Sequence, residues 1–254
     1  MRILENIPLA PLTTLKVGGP ARYFADAQTE EEVAEAVAYA AEQHLPLFVL
    51  GGGSNLVVSD EGWPGLVLRI SIFEVAFQET ASTLTYYVGA GKNWDEFVAL
   101  AVSKNCAGIE CLSGIPGTVG GTPVQNVGAY GQEVSATIIQ VRVLEIATGK
   151  ISDLSNADCG FEYRTSIFNT TARDKYIVLQ VAYKLVRNGK PCIEYADIKN
   201  YFAALTSGKK PSLQWVRDAV RTIRLSKAML IVPGDEDCRS AGSFFKNPIV
   251  NKAE

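Results

Sequence analysis

An α+β fold is what this sequence predicts, and three observations carry the prediction. A strand, a helix and a second strand follow one another near the N-terminus; two long β-branched runs, Thr137 to Ile146 and Tyr176 to Val186, dominate the middle; and the segments after Asn188 carry helical periodicity. The chain has 254 residues, 47% of them hydrophobic and 20% charged, which suits one large or two modest globular units with ample core.

The first module runs from residue 1 to about Ile70. Thr13 to Pro20 is a turn-rich entry, and Ala21 to Ala27 reads as a strand. A helix starts near Glu30, because Thr29 is a suitable N-cap, Glu32 stands at capping-box spacing, and Val33, Ala36, Val37 and Ala40 share one face. Leu47 to Leu50 returns as a strand, completing a βαβ unit. That strand empties into Gly51, Gly52, Gly53, Ser54 and Asn55, a composition that commonly builds a phosphate cradle. It is not the dinucleotide fingerprint, since Leu56 to Val58 continues extended instead of opening a helix. His44, the single histidine, falls between helix and strand and reads as a surface residue.

The second module spans 71–187. Leu84 to Val88 is a strand and Gly89 to Gly91 a turn; Asn93 caps a helix to about Lys104, with Glu96 at the capping-box position and Phe97, Leu100 and Ala101 toward the core. The Thr148-Gly149 turn makes the two β-branched runs part of a meander. Between helix and meander lies Gly114 to Gly131, GIPGTVGGTPVQNVGAYG, with six glycines and two prolines. Ile115, Val119, Val124, Val127 and Tyr130 make it too apolar for a linker, so it reads as ordered loop. Such a loop either brings backbone close to a ligand, with consecutive N–H groups nesting an anion, or packs as tight turns between core strands. From Asn188 to Glu254 a third segment begins, with helices over Tyr195 to Leu205 and Ser212 to Leu225.

Composition narrows the function. A net charge of −3 argues against a nucleic-acid surface. No apolar run approaches the ~20 residues of a membrane helix and the N-terminus has no signal-peptide core, so a cytoplasmic location is expected. Five cysteines without a CxxC pair favour neither a disulfide framework nor a metal site.

Four motifs in order, GGGSN, the glycine loop, FEYRTSIF (Phe161 to Phe168) and AGSFFKNP (Ala241 to Pro248), resemble the UDP-N-acetylenolpyruvoylglucosamine reductase family of peptidoglycan synthesis. The resemblance covers about Leu15 to Pro248, and the segment with Tyr195 is similar to the family's type I form. It implies the bilobal FAD-binding fold of the vanillyl-alcohol oxidase and p-cresol methylhydroxylase class, followed by an incomplete substrate-binding lobe. It also implies non-covalent FAD, with Gly51, Gly52, Gly53, Ser54 and Asn55 around the pyrophosphate and Gly117, Asn126, Gly128 and Tyr130 along the isoalloxazine side. NADPH is implied as co-substrate, using the same cleft in alternation with UDP-N-acetylglucosamine enolpyruvate.

Reducing an enolpyruvyl double bond places negative charge beside a carboxylate and then requires a proton. Arg164 matches the family arginine at that carboxylate, a role that suits a planar guanidinium. Ser243 matches the family proton donor; a hydroxyl is a weak acid and needs nearby positive charge, for which Lys246 is close in sequence. Tyr195, Arg224 and Lys227 match residues at the substrate diphosphate, although Arg224-Leu225-Ser226-Lys227-Ala228 departs from the family's RxxKLP. The family continues for roughly fifty to ninety residues beyond SFFKNP, too long for a connecting loop. That part would finish the lobe and supply a glutamate that joins the serine in protonation. An FAD-holding remnant, or another flavin oxidoreductase such as an alcohol or sugar-lactone oxidase, are the alternative readings; AGSFFKNP and the lack of a histidine tether in either glycine loop speak against the latter.

Overall fold

A computed structural model describes residues 1–205, 210–242, 246–248 and 250 of the chain. Its first sheet contains β1 (Ile3–Pro8), β2 (Pro20–Ala27), β3 (Leu47–Leu50) and β4 (Trp63–Ile70), with α1 (Glu30–Glu42) joining β2 to β3. The expected cap is present: Thr29 Oγ1 accepts the Glu32 N–H at 3.2 Å. Glu32 reaches back to the Gln28 N–H at 2.7 Å, one residue before the cap. Val33, Ala36, Val37 and Ala40 are buried in a core that includes Ala25, Leu66 and Leu68.

The expected βαβ unit is present as β2-α1-β3, and the strand order β1-β2-β4-β3 inserts β4 between its two strands, parallel to both. Pro64 and Gly65 at its start hide this strand from a reading of turn residues. Its centre, Leu66, Val67 and Leu68, is wholly buried, as a central parallel strand covered on both faces requires. Leu56 to Val58, expected to be extended, lies outside every strand, with Val57 exposed.

The second sheet follows. β5 (Val75–Glu79) and β6 (Thr83–Gly89) precede α2 (Trp94–Ser103), and β7 (Cys106–Ala107) follows it. The short hairpin β8 (Gly128–Ala129) and β9 (Gln132–Glu133) closes the glycine loop; then come β10 (Ile138–Glu145), β11 (Ile151–Ser155) and β12 (Tyr176–Arg187). The antiparallel order is β11-β10-β12-β6-β5, with β7 on the end of β12. Asn93 caps α2 by accepting the Glu96 N–H at 3.1 Å, which aims Trp94, Phe97, Val98 and Ala101 into the core. Phe97 meets Tyr183 at 5.1 Å and Tyr86 edge-on at 5.4 Å. Truncating such a ring typically costs ~3–5 kcal/mol, so this cluster fixes where α2 sits.

One apolar core runs through both sheets, and Arg142 in β10 adds a polar link by donating to Glu30 in α1 at 2.7 and 3.0 Å. The last elements, α3 (Ala196–Leu205) and α4 (Leu213–Ser226), form a separate small core. There Val216, Ala219, Val220 and Ile223 pack with Ile198 and Phe202, and also with Cys111 and Tyr130. The lobe therefore rests directly on the glycine loop. Among the described residues no helix is long and apolar enough to cross a membrane.

Candidate active site

The two glycine-rich segments meet. Ser54 Oγ donates to Pro116 O at 3.0 Å, a Cβ added at Gly52 would fall 2.6 Å from Gly117 Cα, and one at Gly51 would fall 2.9 Å from Thr118 Oγ1. Only glycine lets the two backbones approach this closely. Among the described residues, the N–H groups of Gly52, Gly53, Ser54, Asn55, Gly117 and Thr118 have no acceptor. Unpartnered amides on two apposed turns form an anion nest, so the residues present fit the pyrophosphate of a dinucleotide without any lysine. A cavity of about 400 Å³ adjoins the nest, lined by Gly51, Gly52, Thr118, Arg69 and Asp26 among others. Burial pushes the Asp26 carboxyl up, but hydrogen bonds from Arg69 and Ser71 outweigh it and hold it below the usual range.

The remainder of the glycine loop is ordered by backbone bonds to the turn before α2. Val119 and Gly120 donate to Lys92 O and Ala90 O, and Trp94 donates to Gly117 O at 3.1 Å. Thr122 is buried against the Tyr183 hydroxyl at 2.6 Å. Asn126, expected beside the cofactor, uses its amide as an internal brace: it donates to Glu133 Oε2 and Glu162 O, both at 3.0 Å, and accepts the Ser135 N–H.

A second cavity, of about 850 Å³, is lined by Gly128, Tyr130, Glu133, Tyr163, Arg164 and Tyr195 among others. Arg164 sits in a left-handed conformation, φ 54°, in a two-way hydrogen-bonded turn between Glu162 and Thr165. Tyr130 is also left-handed, φ 50°. Non-glycine residues held there cost ~1–3 kcal/mol each, a strain that concentrates at functional sites. The Arg164 guanidinium donates to Gly128 O at 2.5 Å and lies 5.6 Å over the Tyr163 ring. A Cβ at Gly128 would stand 2.7 Å from Glu133 Cγ and 3.3 Å from Arg164 Nη1, so this glycine makes room for the arginine. Among the described residues Arg164 has no carboxylate partner, leaving a planar cation at the cavity wall.

The substrate-lobe residues gather beside Tyr130. The Tyr195 ring meets it edge-on at 5.5 Å, and Lys227 pairs with Asp197 at 2.6 Å. Burial pushes the Tyr130 hydroxyl up while Arg224 and Lys227 pull it down, with a net rise. Arg224 is buried and donates to Gly114 O at 3.1 Å and Met229 O at 2.7 Å. The chain after α4 crosses the site: Thr14, which donates to Gly53 O, also donates to Ser240 O at 2.6 Å, and Lys246 Nζ donates to Arg164 O at 3.4 Å. Ser243, expected as the proton donor, lies outside the described residues.

Residues the sequence reading missed are Asp95, Arg217 and Arg221. Asp95 accepts the Gly114 N–H at 2.6 Å and Arg217 at 2.6 and 2.9 Å, and pairs with Arg221. Burial pushes its carboxyl up, but Arg217 and the Gly114 N–H hold it below the usual range. The signal for α4 was its i, i+4, i+7 arginine row; nothing local pointed to its partner.

The family model described as an FAD binding domain matches residues 21–155. A UDP-N-acetylenolpyruvoylglucosamine reductase of Thermobifida fusca is 46% identical over 253 residues, covering 98% of this chain and 70% of that protein. Similar curated relatives are spanned over 63% to 70% of their length. Among solved structures, the MurB reductase of Thermus caldophilus superposes with a TM-score of 0.69 at 30% identity, covering 98% of this chain and 76% of that one. A VAO-type flavoprotein of Myceliophthora thermophila gives 0.51 at 18% identity over 67% of this chain and 32% of that one, a likeness of fold.

Proposed function

We infer that this chain, which belongs to the UDP-N-acetylenolpyruvoylglucosamine reductase family, carries the family's FAD-dependent reduction of UDP-N-acetylglucosamine enolpyruvate in peptidoglycan synthesis, with NADPH as hydride source. The observation that supports this most is Arg164, a guanidinium without a carboxylate partner among the described residues, at the wall of the larger cavity. FAD, held by the two glycine-rich segments, would supply the hydride chemistry between NADPH and the enolpyruvyl double bond.

The chain's own residues do the rest. The amides of Gly52, Gly53, Ser54 and Gly117 hold the pyrophosphate. Arg164 takes the substrate carboxylate by its fork and stabilises the negative charge that spreads into it as the double bond is reduced. Its position is preset by Gly128 O and the Tyr163 ring. Ser243 gives its hydroxyl proton to the carbon next to the carboxylate. Lys246, placed against the Arg164 turn, supplies positive charge near the serine's segment. Tyr195, Lys227 and Arg224 orient the diphosphate end, beside Tyr130. UDP-linked wall precursors place this work in the cytoplasm, and the net charge of −3 offers no nucleic-acid surface.

The test is product formation. With FAD, NADPH and UDP-N-acetylglucosamine enolpyruvate, the sugar nucleotide should gain two hydrogens by mass for each NADPH oxidised. NADPH oxidation with the enol ether unchanged would contradict the reading.

A further inference from the structure

The mechanism leaves unused the carboxylate that accepts the most hydrogen bonds among the described residues. Asp95, in the first turn of α2, gathers four hydrogen bonds: Gly114 N–H, two from Arg217 and one from Arg221. Gly114 is the first residue of the glycine loop, and its other backbone group is also taken, since its carbonyl accepts Arg224 Nε at 3.1 Å. Its φ is +71°, and a Cβ there would strike Leu230 Cδ1 at 2.7 Å. One residue is thus gripped from two sides, by α2 through Asp95 and by α4 through Arg224. Arg217, Arg221 and Arg224 lie on one face of α4 at i, i+4 and i+7, and Arg217 and Arg224 are both 9% exposed. One turn further, Lys227 reaches Asp197 of α3, while Tyr130, near the other end of the loop, packs into the same lobe core as Val216, Val220 and Ile223.

We propose that Asp95 is a positioning residue that locks the register of α4 against the start of the glycine loop, so that the substrate-lobe cations and the cofactor loop move as one body. Arg217 supplies the planar fork that fixes the angle of α4, and Arg221 adds a more exposed strand to the clamp. Without the carboxylate, two arginines lose their counter-charge and Gly114 loses its donor's partner. Arg224 and Lys227 then sit on a helix free to shift relative to the loop. The link to substrate affinity rests on the function proposed above; the link between α4 and the loop does not.

Two readouts on the FAD-loaded full chain separate these. In backbone hydrogen exchange, Asp95→Asn should speed exchange of peptides covering Gly114 to Gly131 by about ten-fold or more, the scale of one lost charge-assisted hydrogen bond. β10 and β12 should keep their protection. Arg217→Gln should give the same regional pattern at equal or smaller amplitude, since Gly114 and Arg221 keep their bonds to Asp95, and the double variant should be no faster than Asp95→Asn alone. Unchanged loop exchange, equal acceleration across β10 and β12, or simple addition of the two effects would overturn the proposal. Arg221→Gln is the milder variant should the others not fold, with the same regional pattern expected at smaller amplitude. In the second readout, UDP-N-acetylglucosamine enolpyruvate is titrated against the flavin absorbance. Asp95→Asn should bind it about ten-fold more weakly than the unaltered chain; equal affinity overturns the coupling to substrate. If the unaltered chain gives no response, the functional reading fails, and the exchange pattern alone decides on the clamp.

Discussion

Arg164→Ala isolates the charge that the proposed chemistry needs. Arg164 and alanine share the same left-handed backbone penalty, so the substitution changes the side chain without changing the strain. Folding loses the guanidinium bond to Gly128 O at a part-buried site, roughly 1 kcal/mol, which for a chain of this size lowers Tm by about 2–4 °C. The chemical loss is larger. A hydrogen bond to a charged group contributes ~1.5–3 kcal/mol, and at about 1.4 kcal/mol per decade this is about ten- to a hundred-fold in rate. Where such a donor meets charge that develops only in the transition state, its removal costs about 10²–10³-fold. In anaerobic stopped-flow, reoxidation of the NADPH-reduced protein by UDP-N-acetylglucosamine enolpyruvate should slow by about a hundred-fold. Bleaching by NADPH should change little, because the nicotinamide presents no carboxylate. Arg164→Lys should recover part of the loss by charge without the fork. Equal slowing of both halves would refute the assignment of Arg164 to the substrate carboxylate.

Three further outcomes follow from the same geometry. Gly52→Ala would place a Cβ 2.6 Å from Gly117 Cα, a backbone atom that cannot swing aside, so it should pry the two loops apart and lower FAD affinity in a fluorescence titration; unchanged affinity would show that the nest does not hold the cofactor. Ser243→Ala should leave bleaching by NADPH nearly intact and slow reoxidation by substrate severely, and a variant that reoxidises normally would remove the serine from the protonation step. Asp95 has a folded-state pKa below its unfolded value, so its contribution to stability is present above the ordinary aspartate range near 3.9 and is lost as pH falls through the lower folded value. The Tm difference between the unaltered chain and Asp95→Asn should therefore hold constant from about pH 5 to 8 and close below about pH 4. A gap that closes between pH 5 and 8 would mean that another group titrates.

Local rules were legible where the physics is local. Thr29 and Asn93 each accept the backbone N–H three residues on, as their side chains and spacing required, and the buried faces of α1 and α2 followed from period alone. Arg164 and the glycine segments were legible through resemblance to a known family. What stayed hidden depends on partners distant in sequence. β4 belongs between β2 and β3 because its Leu66-Val67-Leu68 core fits a slot covered on both faces, a fact no turn signal at Pro64-Gly65 could reveal. Asp95 looked like an ordinary acidic residue in a first helical turn, where it would favour the helix dipole, yet its partners stand 19, 122 and 126 residues away. Gly128, which lines the larger cavity, also serves packing within the chain, since the atoms its missing Cβ would meet belong to Glu133, Gln132 and Arg164.

The most direct measurement is the visible absorption of the FAD-loaded 254-residue chain, followed without oxygen through addition of NADPH and then of UDP-N-acetylglucosamine enolpyruvate. The account predicts flavin bands that bleach with NADPH and return with the enolpyruvyl nucleotide. Bands that bleach and stay bleached would contradict the claim that Arg164 and the residues around it carry the reduction.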